Sequence, residues 1–279
     1  MPEMSTALDD VDTAFLRAWT DQRATTSCGL WQDATDLGAA HTAKFARLAD
    51  LAGVRSGARV LDVGCGSGGL LEYLAVRRDA VAVGVDRSAR YCRDAASRSG
   101  VIDVECADYR DYAPAERFDA VVCAQLLEHT TRYSEARAGR HLERYRDFFQ
   151  RLHDWTRRGA KLALEVLAMP DIRWATPSPA QQRLIEGVGG HRCFVRPSDL
   201  GASCLGLWQP THSVLLRDDA VRTHREWLRR LTGQREELHR RWGTDLVTGY
   251  ERVLRHELDA LHSGTAAVAL LGFRRIDPR

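Results

Sequence analysis

The sequence contains no apolar run long enough to cross a bilayer. The longest, such as Thr265–Phe273, fall far short of the ~20 residues a spanning helix needs, so no integral membrane association is expected. The start, Met1–Asp10, is acidic and has neither the basic opening nor the apolar stretch of a signal peptide. There is no excess of either charge: 40 basic and 38 acidic residues leave a net charge of +2, which supplies no electrostatic footprint for nucleic acid. Arginine-rich Arg222–Arg241 carries Glu226, Glu236 and Glu237 among its bases and reads as solvated helix faces. The seven cysteines form no Cys-x-x-Cys pair, and an odd, scattered set favours reduced thiols and a cytoplasmic setting. No cluster has metal-ligand spacing, and there is neither an internal repeat nor a low-complexity linker.

What is present is a strand–helix rhythm. A helical preamble, residues 1–57, is expected to hold helices at Leu8–Thr20 and Leu37–Leu51 around a loop at Thr25–Asp36. Strands then read at Arg59–Val63, Ala80–Val85, Ile102–Cys106, Phe118–Ala124 and Lys161–Leu167. Helices at Leu70–Arg77, Arg87–Ser97 and Leu142–Arg157 separate most of them. Short apolar strands alternating with helices predict an α/β, Rossmann-like, doubly wound sheet of seven mostly parallel strands within residues 58–279. Ala168–Gly201, holding four of the eight prolines, breaks the rhythm and reads as a lid. A strand near Leu205–Leu216, helical lid material over Asp218–Leu261 and a last strand Ala266–Phe273 complete the chain.

The chemistry concentrates at Leu61-Asp62-Val63-Gly64-Cys65-Gly66-Ser67-Gly68-Gly69. Glycines at a strand-to-helix turn allow positive φ and close approach of a ligand to backbone. Asp86, at the end of the next strand, is placed to accept hydrogen bonds from ribose hydroxyls. Gly64, Gly66 and Gly69 also satisfy a dinucleotide pattern. Asp62 turns the reading towards S-adenosylmethionine, because a carboxylate there suits a methionine α-ammonium and repels a pyrophosphate. Asp108 and Tyr109 end the third strand and offer an acid and a ring to an adenine. Cys65 and Cys123 read as packing residues.

Val60–Gly68 resembles motif I of class I methyltransferases, and Gln125-Leu126-Leu127-Glu128-His129 resembles their fourth-strand motif. Three segments are similar to cyclopropane fatty acid synthases in particular. They are Ser27-Cys28 with Trp31 (Thr26 standing where that family has tyrosine), Arg144-Tyr145-Arg146-Asp147-Phe148-Phe149, and the tail Trp227…Trp242…Tyr250-Glu251-Arg252…Gly272-Phe273. The likeness runs from about Thr25 to Arg274. It implies that the cofactor lies against Ser27, Asp62, Gly64, Cys65, Gly66, Gly68, Asp86, Arg87, Asp108, Tyr109, Ala124 and Gln125.

Those synthases methylate an alkene and hold a bicarbonate as base. The resemblance assigns that ion to the Cys28 main chain, the Ala124 carbonyl and Glu128. Two further family ligands, a histidine and a tyrosine, fall on Glu165 and near Ala220. A carboxylate would repel bicarbonate. Glu165 is therefore expected to face the reacting carbon itself, as base or counter-charge, in a catalytic set with Glu128, Cys28 and His129. For each there is a plain alternative: Glu128 and His129 shaping the cofactor site, Cys28 packing, His191 solvated in its loop. Trp31, Trp174, Trp208 and Trp227 are candidates to wall an apolar pocket. The expected activity is methylation or cyclopropanation of an apolar or aromatic small molecule. The alternatives are N- or O-methylation and a catalytically silent binding subunit. The oligomeric state is not read from the sequence.

Overall fold

The computed structural model describes residues 11–188 and 193–277; Met1–Asp10 and His191 lie outside the described residues. Seven strands form one sheet in the order β3-β2-β1-β4-β5-β7-β6. They are β1 (Arg59–Val63), β2 (Val81–Asp86), β3 (Ile102–Cys106), β4 (Phe118–Ala124), β5 (Thr156–Ala168), β6 (Trp208–Leu215) and β7 (Ala267–Arg275). β1 to β5 pair in parallel, and β7 runs antiparallel between β5 and β6. The chain reverses at β1, between β2 and β4, so the carboxyl ends on either side diverge and open a crevice there.

The helices are α1 (Thr13–Trp19), α2 (Leu37–Leu51), α3 (Gly69–Arg78), α4 (Ala89–Ala96), α5 (Tyr133–Arg137), α6 (His141–Trp155), α7 (Pro179–Gly187), α8 (Pro197–Ser203), α9 (Arg217–Gly233), α10 (Arg235–Trp242) and α11 (Thr244–Ser263). α2 starts where the Asp36 side chain accepts from Ala39 N at 2.8 Å. Its buried stripe, Leu37, Ala40, His41, Lys44, Phe45 and Leu48, follows the helical period but includes a histidine and a lysine.

β5 begins five residues before the expected Lys161, because Thr156 already pairs with Phe118. The expected stretch Asp218–Leu261 is part of three helices, interrupted at Gln234 and at Gly243, which has φ +87°. The proline-rich segment after β5 is more regular than its composition suggests. Pro179 and Pro197 occupy first-turn positions, where the missing N–H costs no hydrogen bond, and so start α7 and α8.

The preamble does not form a separate body. Phe15, Leu16 and Trp19 of α1 share one core with Trp227 and Leu231 of α9, Leu238 of α10 and Tyr250 and Leu254 of α11. The two ends of the chain thus make a single helical cover over the carboxyl ends of the central strands.

Candidate active site

A cavity of about 270 Å³ lies between that cover and the strand ends. Its floor is the glycine turn. Gly64, Gly66 and Gly68 all take positive φ (+76°, +53° and +80°). A Cβ on Gly66 would meet nothing within 4 Å, so this backbone borders open space. Gly68 serves differently: a Cβ there would stand 2.7 Å from Ala95 Cβ, so the residue lets α4 pack against the turn and does not line the cavity. Asp86 Oδ2 accepts from Gly66 N at 3.0 Å and Oδ1 from Ser88 N at 2.9 Å, which locks the turn to the end of β2. Burial raises its pKa, against the two backbone N–H donors. Asp62 is 2% exposed, and burial raises its pKa to about 7; the Lys44 ammonium opposes that rise and the Asp86 carboxylate adds to it.

Ser27, Cys65, Arg87, Asp108, Tyr109, Ala124, Gln125 and His129 also line the cavity. Asp108 is already held by Arg110, whose Nε is 2.9 Å from Oδ1, and its pKa is lowered mainly by that pairing. The Tyr109 ring stands edge-on to Phe148 at 5.8 Å. Cys65 fits against Gly84, where an added Cβ would lie 2.8 Å from the sulfur.

The expected catalytic residues separate. Glu128 is 2% exposed and lies behind the wall; its Oε1 accepts from Leu167 N, and its carbonyl accepts from Cys193 N at 2.9 Å. It thereby ties the turn after β4 to β5 and to the segment beyond. Cys28 is fully buried, and burial pushes its thiol pKa well up, which leaves no thiolate for nucleophilic work. Its main chain is another matter: Cys28 N donates to Glu165 Oε1 at 2.8 Å. Gln125, held at φ +56°, donates its side-chain amide to the same oxygen at 3.2 Å. Lys44 Nζ stands 3.4 Å from Glu165 Oε2 and donates to Ser27 Oγ. Glu165 is therefore set one layer behind the cavity, while Lys44 and Gln125, which contact it, and Ser27, which accepts from Lys44, line the cavity.

Lys44 is the site residue that sequence reasoning missed. Its signal was present: Leu37, His41, Lys44 and Leu48 fall on one helical face, so the pattern already placed a lysine among buried neighbours. Of the four tryptophans considered, Trp227 lines the cavity, joined by Trp19. Trp208 is committed to the main core, donating to the Phe149 carbonyl at 3.0 Å. Trp174 donates to Asp199 at 3.0 Å, and Trp31 donates to Thr223 at 2.9 Å. α9 and α11 contribute Trp227, Tyr250, Val253, Leu254 and Glu257 to the cavity. The described residues of 168–201 do not line it. Within them, Leu184 and Ile185 of α7 share a core with Val253 and Leu261 of α11, while Leu200 of α8 joins the main core.

The sequence matches the mycolic acid cyclopropane synthetase family over residues 3–270. The chain belongs to that family. The cyclopropane-fatty-acyl-phospholipid synthase of Escherichia coli (strain K12) is 39% identical over 105 residues, 37% of this chain and 27% of that protein. A tuberculostearic acid methyltransferase of Mycobacterium tuberculosis is 30% identical over 177 residues, 59% of this chain and 39% of the relative. The matched stretches thus span well under half of these relatives' lengths. Among solved structures, a cyclopropane synthase from Mycobacterium tuberculosis superposes with a TM-score of 0.85 at 18% identity, covering 98% of this chain and 97% of that one. A coclaurine N-methyltransferase gives 0.78 at 19% identity, covering 94% and 80%. At such identities these structures establish a shared class I methyltransferase fold for the cyclopropane synthetase family member described here.

Proposed function

We propose that this family member is an S-adenosylmethionine-dependent enzyme that transfers the cofactor's methyl carbon to an apolar or aromatic small molecule, by C-methylation or by cyclopropane-forming methylene transfer. The observation that carries this reading is a single cavity with two unlike walls. One wall is the positive-φ glycine turn with Asp62 and Asp86; the other is apolar and aromatic, from Leu16, Trp19, Trp227, Tyr250 and Leu254. The residues fit the cofactor. Gly66 offers bare backbone at open space, Asp62 a buried carboxylate for an α-ammonium, and Asp86 a carboxylate at the strand end where a ribose would lie.

The cofactor would supply an electrophilic methyl group on a sulfonium. The chain's own part is to align acceptor and donor and to exclude water, and orientation can contribute roughly 7–11 kcal/mol to a barrier. Glu165 would act as a counter-charge, since its carboxylate takes the Cys28 N–H that the family resemblance gives to bicarbonate, and Lys44 and Gln125 fix it against the wall. A charge in so dry a place stabilises developing positive charge more than it would in water. The test has two arms. Calorimetry should show S-adenosylhomocysteine binding and no NAD binding; a mass-spectrometric search of the purified protein for an apolar ligand, followed by transfer of label from methyl-labelled cofactor, should identify the acceptor. Tight NAD binding would sink the reading.

A further inference from the structure

Cys106 is the one exposed thiol among the seven cysteines; the other six are buried. It ends β3, where it pairs with Asp86 at the end of β2. Side chains alternate between the two faces of a strand, so Cys106 shares a face with Ile102 and Val104. Those two pack into the layer that holds Phe45 of α2 and Leu70 and Leu71 of α3, and α4 lies against the same strand. Cys92 is on the buried face of α4, with Ala95. Its Sγ stands 3.2 Å from the Asp86 carbonyl oxygen, which also accepts from Ala107 N at 2.9 Å. Ala107 is the residue bonded to Cys106, so both cysteines meet at one main-chain oxygen. There the two thiols are in hydrogen-bond reach of each other, and burial together with the Cys106 thiol pushes the Cys92 pKa up to about 12.

The pair lies directly behind the glycine-turn wall, and neither thiol lines the cavity. Asp86 holds Gly66 N and Ser88 N with its carboxylate while its carbonyl meets Cys92. Ala107, Asp108 and Tyr109, which follow Cys106, line the cavity. Whatever joins the two sulfurs therefore acts on both strand ends that border the cofactor site.

An exposed thiol beside a buried one has a definite chemistry: the outer sulfur meets the oxidant and the inner one resolves it. We propose that Cys92 and Cys106 are a reversible oxidation site, which a hydroperoxide closes to a disulfide and whose closure weakens cofactor binding. With hydrogen peroxide, Cys106 Sγ attacks one peroxide oxygen; the O–O bond breaks, and the thiol proton leaves with the departing hydroxide as water. Cys92 Sγ then attacks the sulfenic sulfur so formed; the S–O bond breaks, and the Cys92 proton leaves with that hydroxide as a second water. The two sulfurs give up two electrons, and the peroxide takes them. A dithiol reductant reverses the bridge by thiol–disulfide exchange. Closure removes the S–H donor from the Asp86 carbonyl and draws the end of β3 towards α4, so Asp86 and Asp108 both shift. The oxidation site stands independently of the methyl-transfer reading, which supplies only the identity of the cofactor whose affinity changes.

The test treats the full-length protein with hydrogen peroxide under native conditions, blocks the remaining thiols and maps the peptides by mass spectrometry. Wild type should lose two hydrogens and give a peptide cross-linked between Cys92 and Cys106, and dithiothreitol should undo it. Cys92→Ser should stop at a sulfenic acid on Cys106 that dimedone traps, and Cys106→Ser should form no bridge. In calorimetry, S-adenosylhomocysteine affinity should fall at least about threefold in the oxidised wild type, the worth of one modest hydrogen bond, and return on reduction. Cys106→Ser should bind like the reduced wild type before and after peroxide. Oxidation of Cys106 without a bridge to Cys92 overturns the proposal, as does an oxidised protein that binds as tightly as the reduced one. If a serine variant does not fold, the wild-type map and its reversal by dithiothreitol decide. If the reduced wild type does not bind S-adenosylhomocysteine, the methyl-transfer reading falls and the map alone decides the oxidation site.

Discussion

The two walls of the cavity are built by different means. The glycine-turn wall comes from neighbouring strand ends and is mostly backbone: Gly64 and Gly66 at positive φ, with Asp86 bonding Gly66 N across two adjacent strands. The opposite wall is made of side chains brought together from α1, α2, α9 and α11, from Leu16 to Glu257. A backbone wall suits a ligand that does not vary, because backbone geometry changes little with sequence. A side-chain wall can be re-cut for a new acceptor without disturbing the turn. The same contrast extends to charge, since Asp62 and Asp86 bond or border the turn directly, whereas Glu165 lies behind Lys44 and Gln125.

The largest expected effect tests whether that rear layer is chemical or merely architectural. Glu165→Gln should lower turnover on the identified acceptor by about 10²–10⁴-fold, with S-adenosylhomocysteine affinity little changed. Added bicarbonate should not stimulate the wild type. Full activity in the Gln variant, or rescue of it by bicarbonate, would reduce Glu165 to a structural support.

Next in size is a stability effect. Lys44 and Glu165 are both fully buried, so Lys44→Met strands a carboxylate and should cost about 3–5 kcal/mol in a denaturant titration. Lys44→Met/Glu165→Leu removes both charges and should recover most of that loss. A double variant no more stable than Lys44→Met would mean that packing, and not charge, accounts for the cost.

The two walls also differ in how far they could be read from sequence. The turn was legible because its residues are contiguous and their types have few other uses; Gly64 to Gly68 and Asp86 need no tertiary information. The sheet was legible for the same reason, through short apolar strands at regular spacing. The side-chain wall was not. Lys44 looks like an ordinary helical lysine until its place on the stripe with Leu37 and Leu48 is weighed, and Glu257 lies in a helix rich in exposed charge. Prolines misdirected the reading of 168–201, since a proline that stops one helix is equally able to start another, as Pro179 and Pro197 do. Tryptophans gave little guidance because ring size favours burial anywhere; Trp208 went to the core and Trp19 to the cavity.

On the backbone wall, Asp86→Ala should weaken S-adenosylhomocysteine by about 1–3 kcal/mol in calorimetry, the worth of one or two hydrogen bonds. The variant also frees Gly66 N, so part of the loss should appear as a lower melting temperature of the unliganded protein. An affinity unchanged within error would show that the ribose does not use this carboxylate.

The smallest effect is the most diagnostic of charge placement. Burial raises Asp62 from an ordinary 3.8 to about 7, with Lys44 opposing and Asp86 reinforcing the rise. For an acid raised on folding, the stabilising contribution is complete below the unfolded pKa and is lost as pH climbs through the folded one. The unliganded protein should therefore lose stability from this residue between pH 4 and about 7. Cofactor binding should show the opposite slope, because only the ionised carboxylate can pair with an α-ammonium. Affinity for S-adenosylhomocysteine should rise by about tenfold between pH 6 and pH 8, following the ionised fraction of a group titrating near 7. Asp62→Asn should flatten both slopes while keeping the side-chain volume. If the wild-type affinity is flat across that interval, or if the Asn variant keeps the wild-type slope, the ammonium lies elsewhere on the wall and Asp62 is held for packing.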